Sequence, residues 1–285
     1  MSVLLFPGVF VTLHPKKNTV YTDVRIKEVV CALEKFAPLP LQADYDNAGV
    51  QIGLTGAEVS GALLCLDVTE DVVDEAVAKG CNLIVAHHPL IFRKLGSITG
   101  DDYVGRTVMR AIKSGVAVVA MHTNLDSAAG GVNFKMAEKI GLCDVALIGG
   151  RRSAGGVEGG EAVIGSLPAE MAAADFLAML KSVFAADCVQ ANGLLRRPVR
   201  RVALCGGAGG FMLGEAIRCG ADAFVTGEMG YHQYFGHGQE IQIAVIGHYQ
   251  SEQYTPELLR EIIGRECPGV RCEITETNTN PIFYV

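Results

Sequence analysis

The 285-residue sequence predicts an α/β protein built from two related α/β lobes, and three observations lead to this prediction. Short apolar runs typical of strands alternate with longer amphipathic stretches typical of helices. One strand–helix–strand pattern occurs twice, and a glycine-rich segment lies between the two copies. Because strands joined through helices form largely parallel sheets covered by helices, we expect this architecture in both lobes.

The elements of the first half follow one another from about Val24. Residues 24–36 are predicted to form a helix because their apolar side chains recur at helical spacing. The remaining elements predicted for this half are strands at 49–53, 62–66, 83–86 and 117–121 and helices at 70–79 and 104–114.

The second half begins after residues 149–161, which contain six glycines and are predicted to form a loop or hinge between the lobes. Two arginines of this segment, Arg151 and Arg152, are either solvated loop charges or a clamp for phosphate. The elements predicted beyond it are strands at 162–164, 202–205, 223–226 and 241–246 and helices at 169–184, 212–218 and 254–263.

The composition limits the class of protein. Hydrophobic residues make up 49% of the chain and charged residues 19%, as in a globular protein with a large core. A net charge of −7 argues against a nucleic-acid-binding protein, and no apolar run approaches the roughly 20 residues of a membrane span. Nine scattered cysteines without a C-x-x-C pair indicate reduced thiols, so we expect a cytoplasmic protein.

The internal repeat appears when the sequence is shifted by 140 positions. A second similarity follows in each half, where an apolar strand leads to a histidine and then to a carboxylate four residues later. These pairs are His122 with Asp126 and His248 with Glu252; either two ordinary buried strands coincide or the fold is duplicated. The positions that match at the shift of 140 are Leu64-Cys65 with Leu204-Cys205, Glu75-Ala76 with Glu215-Ala216, Gly80 with Gly220 and Val85 with Val225.

Histidines and carboxylates follow three of the predicted strands. His87 and His88 come directly after the strand at 83–86, and ligands in open α/β sheets bind at the carboxyl ends of strands. Alone, this pair is at least as typical of a structural contact. Together with the two His-x-x-x-acid segments it gives the mixed N/O donor set of borderline divalent metals such as Zn, Mn, Fe, Ni or Co. Carboxylates in such sites can bridge two ions about 3.5–4 Å apart.

Five segments of the sequence resemble the Nif-three-like (NGG-interacting factor three) family, whose members are called GTP cyclohydrolase 1 type 2 homologues. The resemblance extends from about Val24 to the C-terminus. Its motifs are PLPLQADYDNAGVQIG (38–53), NLIVAHHPLIF (82–92), AVVAMHTNLDSAAGGVN (117–133), ADAFVTGEMGYHQ (221–233) and GHYQSE (247–252).

The resemblance implies two α/β lobes with a dinuclear metal site in the cleft between them, and a homo-oligomer that is a hexamer. We predict a first lobe at 23–148 plus about 240–285, a second lobe at 149–239 and an N-terminal extension at 1–22. The metal ligands that the family motifs imply, for two divalent ions per chain, are His87, His88, Asp126, His248 and Glu252.

Two functions remain open at this stage. The first is a metal-dependent hydrolase of a small phosphorylated or nucleotide-like substrate, with His122, Glu228 and His232 as proton-transfer groups. The second is a non-catalytic metal-binding, metal-insertion or regulatory adaptor protein. Glu228 occupies the repeat position of His88 and is either an acid/base group or a loop hydrogen-bond partner, while residues 206–210 (GGAGG) form either a tight turn or a phosphate cradle.

Overall fold

The computed structural model describes residues 24–285, so the predicted extension at 1–22 lies outside the described residues. The helices of the described chain are α1 (Ile26–Phe36), α2 (Glu70–Ala78), α3 (Tyr103–Lys113), α4 (Thr123–Ser127), α5 (Val132–Ile140), α6 (Ala173–Val183), α7 (Leu213–Arg218), α8 (His248–Glu252) and α9 (Thr255–Glu266).

The strands of the same part of the chain form two larger sheets and a hairpin. They are β1 (Gly49–Ile52), β2 (Ala62–Cys65), β3 (Leu83–Ala86), β4 (Ala117–Ala120), β5 (Cys143–Ile148), β6 (Arg152–Ala154), β7 (Val157–Gly159), β8 (Ala162–Met171), β9 (Gln190–Ala191), β10 (Val199–Cys205), β11 (Ala223–Thr226), β12 (Gln242–Val245) and β13 (Cys272–Ile274).

The first sheet has the order β1-β4-β3-β2-β13 and matches the predicted architecture. Its four strands from β4 to β13 are parallel, and only the edge strand β1 is antiparallel. Alternate side chains of β2 face opposite sides, so that Leu64 packs with α1 and α9 while Leu63 packs with α2 and α3. Helices therefore cover both faces of this sheet.

The second sheet has the order β5-β8-β10-β11-β12-β9 and is more mixed than the sequence predicts. Only β10, β11 and β12 are parallel. The strand β8 runs antiparallel to both β5 and β10. Its pairing with β5 follows from the connection between them, which is a hairpin and contains no helix. The helices α5 and α6 cover one face, and α7 covers the other.

That hairpin replaces the loop predicted at 149–161. Its strands β6 and β7 pair antiparallel, with Ala154 opposite Val157. Two residues connect them, Gly155 and Gly156, with φ values of 58° and 80°. A two-residue hairpin turn with positive φ at both positions favours glycine, so part of the glycine content that predicts a loop serves a tight turn instead.

The repeated unit predicted from the sequence is present with an unchanged strand register. Ala62 lies opposite Leu83 in the first sheet, and Val202 lies opposite Ala223 in the second. Both positions differ by the 140 residues of the sequence shift. The two copies therefore share one strand–helix–strand arrangement, β2-α2-β3 and β10-α7-β11.

The second similarity is real but shifted by one residue from the predicted alignment. Leu83 lies opposite Ala117, and Ala223 lies opposite Gln242, which gives an offset of 125 rather than 126. The helices that follow, α4 and α8, begin at Thr123 and at His248 with the same offset. His248 therefore takes the place of Thr123 rather than that of His122, and the alignment that pairs the two histidines is out of register by one residue.

The last part of the chain crosses between the sheets. The strand β12 hydrogen-bonds to β11 in the second sheet, whereas α9 and β13 pack and pair in the first. The predicted division into lobes at about residue 240 stays a prediction. None of the helices in the described residues is both long enough and apolar enough to cross a membrane.

Candidate metal centre

The residues implied as metal ligands meet where β3, β4 and β12 end. His87 and His88 directly follow β3, His122 precedes the first residue of α4, and the other candidates lie within α4 and α8. Ligand atoms within 4.8 Å of one another form three overlapping groups in the described chain. These groups are His87, His88 and His122; His88, His248 and Glu252; and His87, Asp126 and Glu252.

The four histidines of these groups are each held in place by a contact of Nδ1. The buried imidazole of His87 donates from Nδ1 to the carbonyl oxygen of Met121 at 2.8 Å. The other three lie next to carboxylates, and an anchored Nδ1–H leaves the lone pair of Nε2 free for a metal ion. Their Nδ1–oxygen pairs are His88 with Asp67 at 2.8 Å, His122 with Asp46 at 2.7 Å and His248 with Glu228 at 2.9 Å.

The Nε2 atoms of His87, His88 and His248 converge on two carboxylates. Oε2 of Glu252 lies 3.0 Å from Nε2 of His88 and 3.2 Å from Nε2 of His248. Nε2 of His87 lies 3.6 Å from both Oε1 of Glu252 and Oδ1 of Asp126. The two oxygens of Glu252 thus face different histidines, and this residue belongs to two of the three groups.

Three buried atoms of the cluster have no hydrogen-bond partner: Nε2 of His87, Oδ1 of Asp126 and Oε2 of Glu252. Burying polar atoms without a partner costs about 1–3 kcal/mol each, so such atoms at one point indicate a missing ligand. Imidazole nitrogens and carboxylate oxygens suit borderline divalent cations. The residues present therefore fit a metal site, as the sequence predicts.

The pKa values describe the cluster in its metal-free form. Burial opposes the charge of His88, but Asp67 and Glu252 raise its pKa to about 10. Burial also opposes the charge of His248, and Glu252 raises its pKa to about 9. Burial tends to raise the pKa of Glu252, yet His87 and its neighbours hold that pKa well below the ordinary value. Metal ions would compete with the protons held here.

The supporting carboxylates Asp46 and Asp67 are the functional residues that the sequence analysis missed. Asp46 also accepts a hydrogen bond from the backbone N–H of Thr123 at 3.0 Å. Asp67 accepts from the hydroxyl of Thr279 at 2.7 Å and so connects His88 with the C-terminal segment. Since Asp67 comes two residues after β2 ends, the strand-end rule applied to this strand would have identified it.

The proposed proton-transfer groups are placed differently from one another. His122 lies in the cluster, and Glu228 lies beside it as the hydrogen-bond partner of His248. His232 is exposed on a short 3-10 helix, where its ring contacts Tyr231 and Phe235. It belongs to none of the three ligand groups of the described chain.

The glycine run at 206–210 forms a tight turn that packs beside the cluster. Two of its amides are already used, since Gly206 N–H donates to Asn133 Oδ1 and Gly207 N–H donates to Ser251 Oγ, both at 2.9 Å. Gly207 has a φ of 56°, and a Cβ there would lie 2.4 Å from Oε1 of Glu252. This contact favours the turn over the phosphate cradle and explains why glycine is needed beside Glu252.

A cavity of about 460 Å³ adjoins the cluster. His122, Asp126 and Glu252 line it, together with Arg152 from the hairpin. Arg151 lines a different cavity, so the two arginines do not form the clamp considered from the sequence. A volume of this size suits a small-molecule ligand.

Comparison with known proteins identifies relatives over nearly the whole described chain. Residues 24–281 match the Duf34/NIF3 (NGG1p interacting factor 3) family. A protein of Clostridium acetobutylicum named "GTP cyclohydrolase 1 type 2 homolog" is 32% identical over 232 residues, which are 81% of this chain and 86% of the relative. A protein of Lactococcus lactis with the same name is 30% identical over 267 residues, 92% of this chain and 100% of the relative.

Solved structures show the same fold. The crystal structure of Staphylococcus aureus protein SA1388 superposes with a TM-score of 0.84 at 27% sequence identity, and the match covers 92% of this chain and 99% of that chain. The mixed sheets described above are thus the fold of a known group of structures.

Proposed function

This chain belongs to the Duf34/NIF3 family, and we propose that it is a dinuclear metal-binding protein that acts as a metal-dependent hydrolase, similar to GTP cyclohydrolase 1 type 2 homologues. The proposed substrate is a small phosphorylated or nucleotide-like compound. The observation that carries the proposal is the convergence of three anchored imidazoles on Glu252 and Asp126 at the wall of a cavity.

The overlap of the ligand groups supports two ions rather than one. One group combines His88, His248 and Glu252, and another combines His87, Asp126 and Glu252. Glu252 is the shared member, and its two oxygens face different histidines. We therefore assign Glu252 as the residue common to both ions and Asp126 as a ligand of one.

The chemistry of a hydrolase follows from the surroundings of this cluster. Divalent ions held by these residues would supply an activated water and polarise the scissile group. His122 lines the cavity with Nδ1 bound to Asp46, so its Nε2 is the atom left to hold or move a proton near the substrate. Glu228 orients His248 through Nδ1.

The metal content of the protein tests the first part of the proposal. Elemental analysis of chelator-stripped and reloaded protein should give close to two divalent ions per chain, and His248→Ala should lower this number. A content that stays at zero, or that His248→Ala leaves unchanged, contradicts the proposal.

A hydrolysis screen tests the second part. The metal-loaded protein is assayed against phosphoesters, nucleotides and cyclic amides, with Glu252→Ala as the control. Metal-dependent turnover that Glu252→Ala abolishes supports a hydrolase. Two bound ions without turnover of any compound would favour the alternative, a metal-binding, metal-insertion or adaptor protein.

We further propose that the protein is a cytoplasmic homohexamer. The C-terminal segment supports an oligomer, because the side chains of Phe283 and Ile282 are exposed by 81% and 51% in the single chain. Light scattering should give a multiple of 30.2 kDa, and a monomer mass at all concentrations would contradict the proposal.

A further inference from the structure

One cation lines the cavity beside the metal cluster. Arg152 is the only lysine or arginine among the described residues that line it. Its Nη2 donates to the carbonyl oxygen of Leu41 at 2.5 Å and to the hydroxyl of Ser127 at 3.2 Å. The guanidinium group is therefore held in one position rather than moving freely in solvent.

No carboxylate of the described residues lies within ion-pair distance of Arg152, although Glu161 lines the same cavity. Within the described part of the chain this arginine forms no ion pair, although twenty pairs occur elsewhere. Its Nε is buried and has no hydrogen-bond partner. A half-buried guanidinium with an unused donor is a suitable partner for a planar or tetrahedral oxyanion.

The electrostatics of the loaded site favour the same kind of ligand. Three carboxylates line the cavity, Asp126, Glu161 and Glu252, and their negative charges are fewer than the four positive charges of two divalent ions. With Arg152 on the same cavity wall, the positive charge at this cavity would favour an anion over a neutral molecule.

The cavity also has aromatic walls. Tyr45 and Phe211 line it, and their side chains are exposed by 71% and 64%. Exposed rings at the wall of a cavity offer a surface on which a planar group can stack. The remainder of the ligand is thus expected to be a ring rather than a polar chain.

We propose that Arg152 binds the oxyanion group of the substrate, a phosphate or carboxylate, while Tyr45 and Phe211 contact a planar ring of the same molecule. This inference deepens the proposed function and rests on it, because the anion is placed between Arg152 and the metal cluster. It makes Arg152 a specificity-determining residue and leaves metal binding to the cluster.

Calorimetry on the metal-loaded protein tests the proposal with three probes: inorganic phosphate, phenyl phosphate and benzoate. Phenyl phosphate and benzoate share a ring and differ in the oxyanion, so the tighter of the two identifies the anionic group. We expect Arg152→Gln to weaken the tighter probe by about tenfold or more, and Arg152→Lys to weaken it less because the charge is kept. Phenyl phosphate should bind more tightly than inorganic phosphate, and Phe211→Ala should reduce that difference.

The matched control is Arg151→Gln, which removes a neighbouring arginine that lines another cavity and should change affinity by less than about twofold. Metal content is measured in every preparation. If the wild-type protein holds no metal, the proposed function fails and this inference fails with it. If metal content is full and Arg152→Gln binds all probes as the wild type does, only the inference is overturned, and Arg152 serves to brace the hairpin against Leu41 and Ser127.

Discussion

The two copies of the strand–helix–strand unit have the same backbone register but supply different chemistry. In the first copy, β3 is followed directly by His87 and His88, which belong to the metal-ligand groups. In the second copy, β11 is followed directly by Gly227 and Glu228, and neither belongs to a ligand group of the described chain. The comparison shows that one duplicated backbone has become a donor unit and a supporting unit.

The second copy has glycine where the first has His87, because there is no space for a side chain at this position. At Gly227, the position of His87, a Cβ would lie 2.6 Å from the carbonyl oxygen of Gly207, 2.7 Å from Ser251 Oγ and 2.9 Å from the Cα of His248. The second copy therefore has no room for a side chain there, because the helix that carries His248 and Glu252 occupies it.

The other two differences between the copies concern residues that hold or make room for the histidines and carboxylates of the cluster. Asp67 of the first copy orients His88, whereas its counterpart in the second copy, Gly207, leaves room for the carboxylate of Glu252. Glu228, the counterpart of His88, orients His248. The second unit thus contributes to the cluster by making room for side chains of α8 and by holding one of them.

The largest effect is expected for the residue shared by the two ligand groups. Glu252→Gln should cost more metal than Asp126→Asn, because removing a shared negative charge leaves two cations about 3.5–4 Å apart with less to hold them together. We expect Glu252→Gln to lose about one of the two ions and its activity, while the fold persists. Metal counts on both purified variants measure this.

The assignment of the two carboxylates is wrong if the Asp126 variant loses both ions while the Glu252 variant keeps both. Circular dichroism of the two variants serves as the control. It shows whether each variant is still folded, because an unfolded variant would lose its metal whatever the role of the substituted residue.

The next effect tests the space argument. Gly227→Ala should destabilise the fold by about 1–3 kcal/mol, because its Cβ meets the backbone of Gly207 and of α8. Gly238→Ala is the matched control, since a Cβ there meets nothing within 4 Å. Urea unfolding monitored by circular dichroism measures both. Equal stabilities of the Gly227 variant and the wild type would show that the second unit can accept a side chain after all.

Most of the first unit and of the cluster could be predicted from the sequence. Periodicity places β3, and the strand-end rule places His87 and His88 where the structure has them. What could not be predicted depends on tertiary contacts. The hairpin at 152–159 has no periodic pattern, and the one-residue shift between α4 and α8 appears only in the strand register.

The supporting carboxylates provide the third test, with effects on metal affinity rather than on ligand number. Asp67→Asn should weaken metal binding by about 10–100-fold, because Asp67 fixes the ring of His88. Glu228→Gln should have a smaller effect, because its carboxylate is more exposed, 55% against 34% for Asp67.

Glu240→Gln is the control for this pair. Its carboxylate makes the same kind of contact, 2.7 Å from Nδ1 of His237, but outside the ligand groups of the described chain. Metal titration in competition with a chelator measures the three affinities. If the Asp67 variant binds metal as tightly as the Glu240 variant, Asp67 does not contribute to metal binding by orienting His88.

The smallest effect is expected on the free energy of unfolding, for the glutamates at matching positions of α2 and α7. These are Glu75 and Glu215. Burial tends to raise the pKa of Glu75, but hydrogen bonds from Thr275, Glu276 N–H and Thr277 lower it from 4.5 to about 2. The pKa of Glu75 is lower in the folded state than in the unfolded state, so its ionised form stabilises the fold. This contribution to the free energy of unfolding is complete above about pH 4.5 and is lost as the pH falls towards 2. With solvent screening it amounts to about 1 kcal/mol or less.

Glu75→Gln should therefore be less stable than the wild type at pH 7, and the difference should shrink as the pH falls towards 2, where about half of the wild-type side chains are protonated. Glu215 pairs with Arg218, whose side chain is 74% exposed, so the ion pair is screened by solvent and Glu215→Gln should show little change across the same range. Urea unfolding of metal-free protein between pH 2 and 7 gives the difference for each variant. If the difference in the free energy of unfolding between the wild type and Glu75→Gln does not change with pH, the negative charge of Glu75 does not stabilise the C-terminal segment, and packing and neutral hydrogen bonds hold it instead.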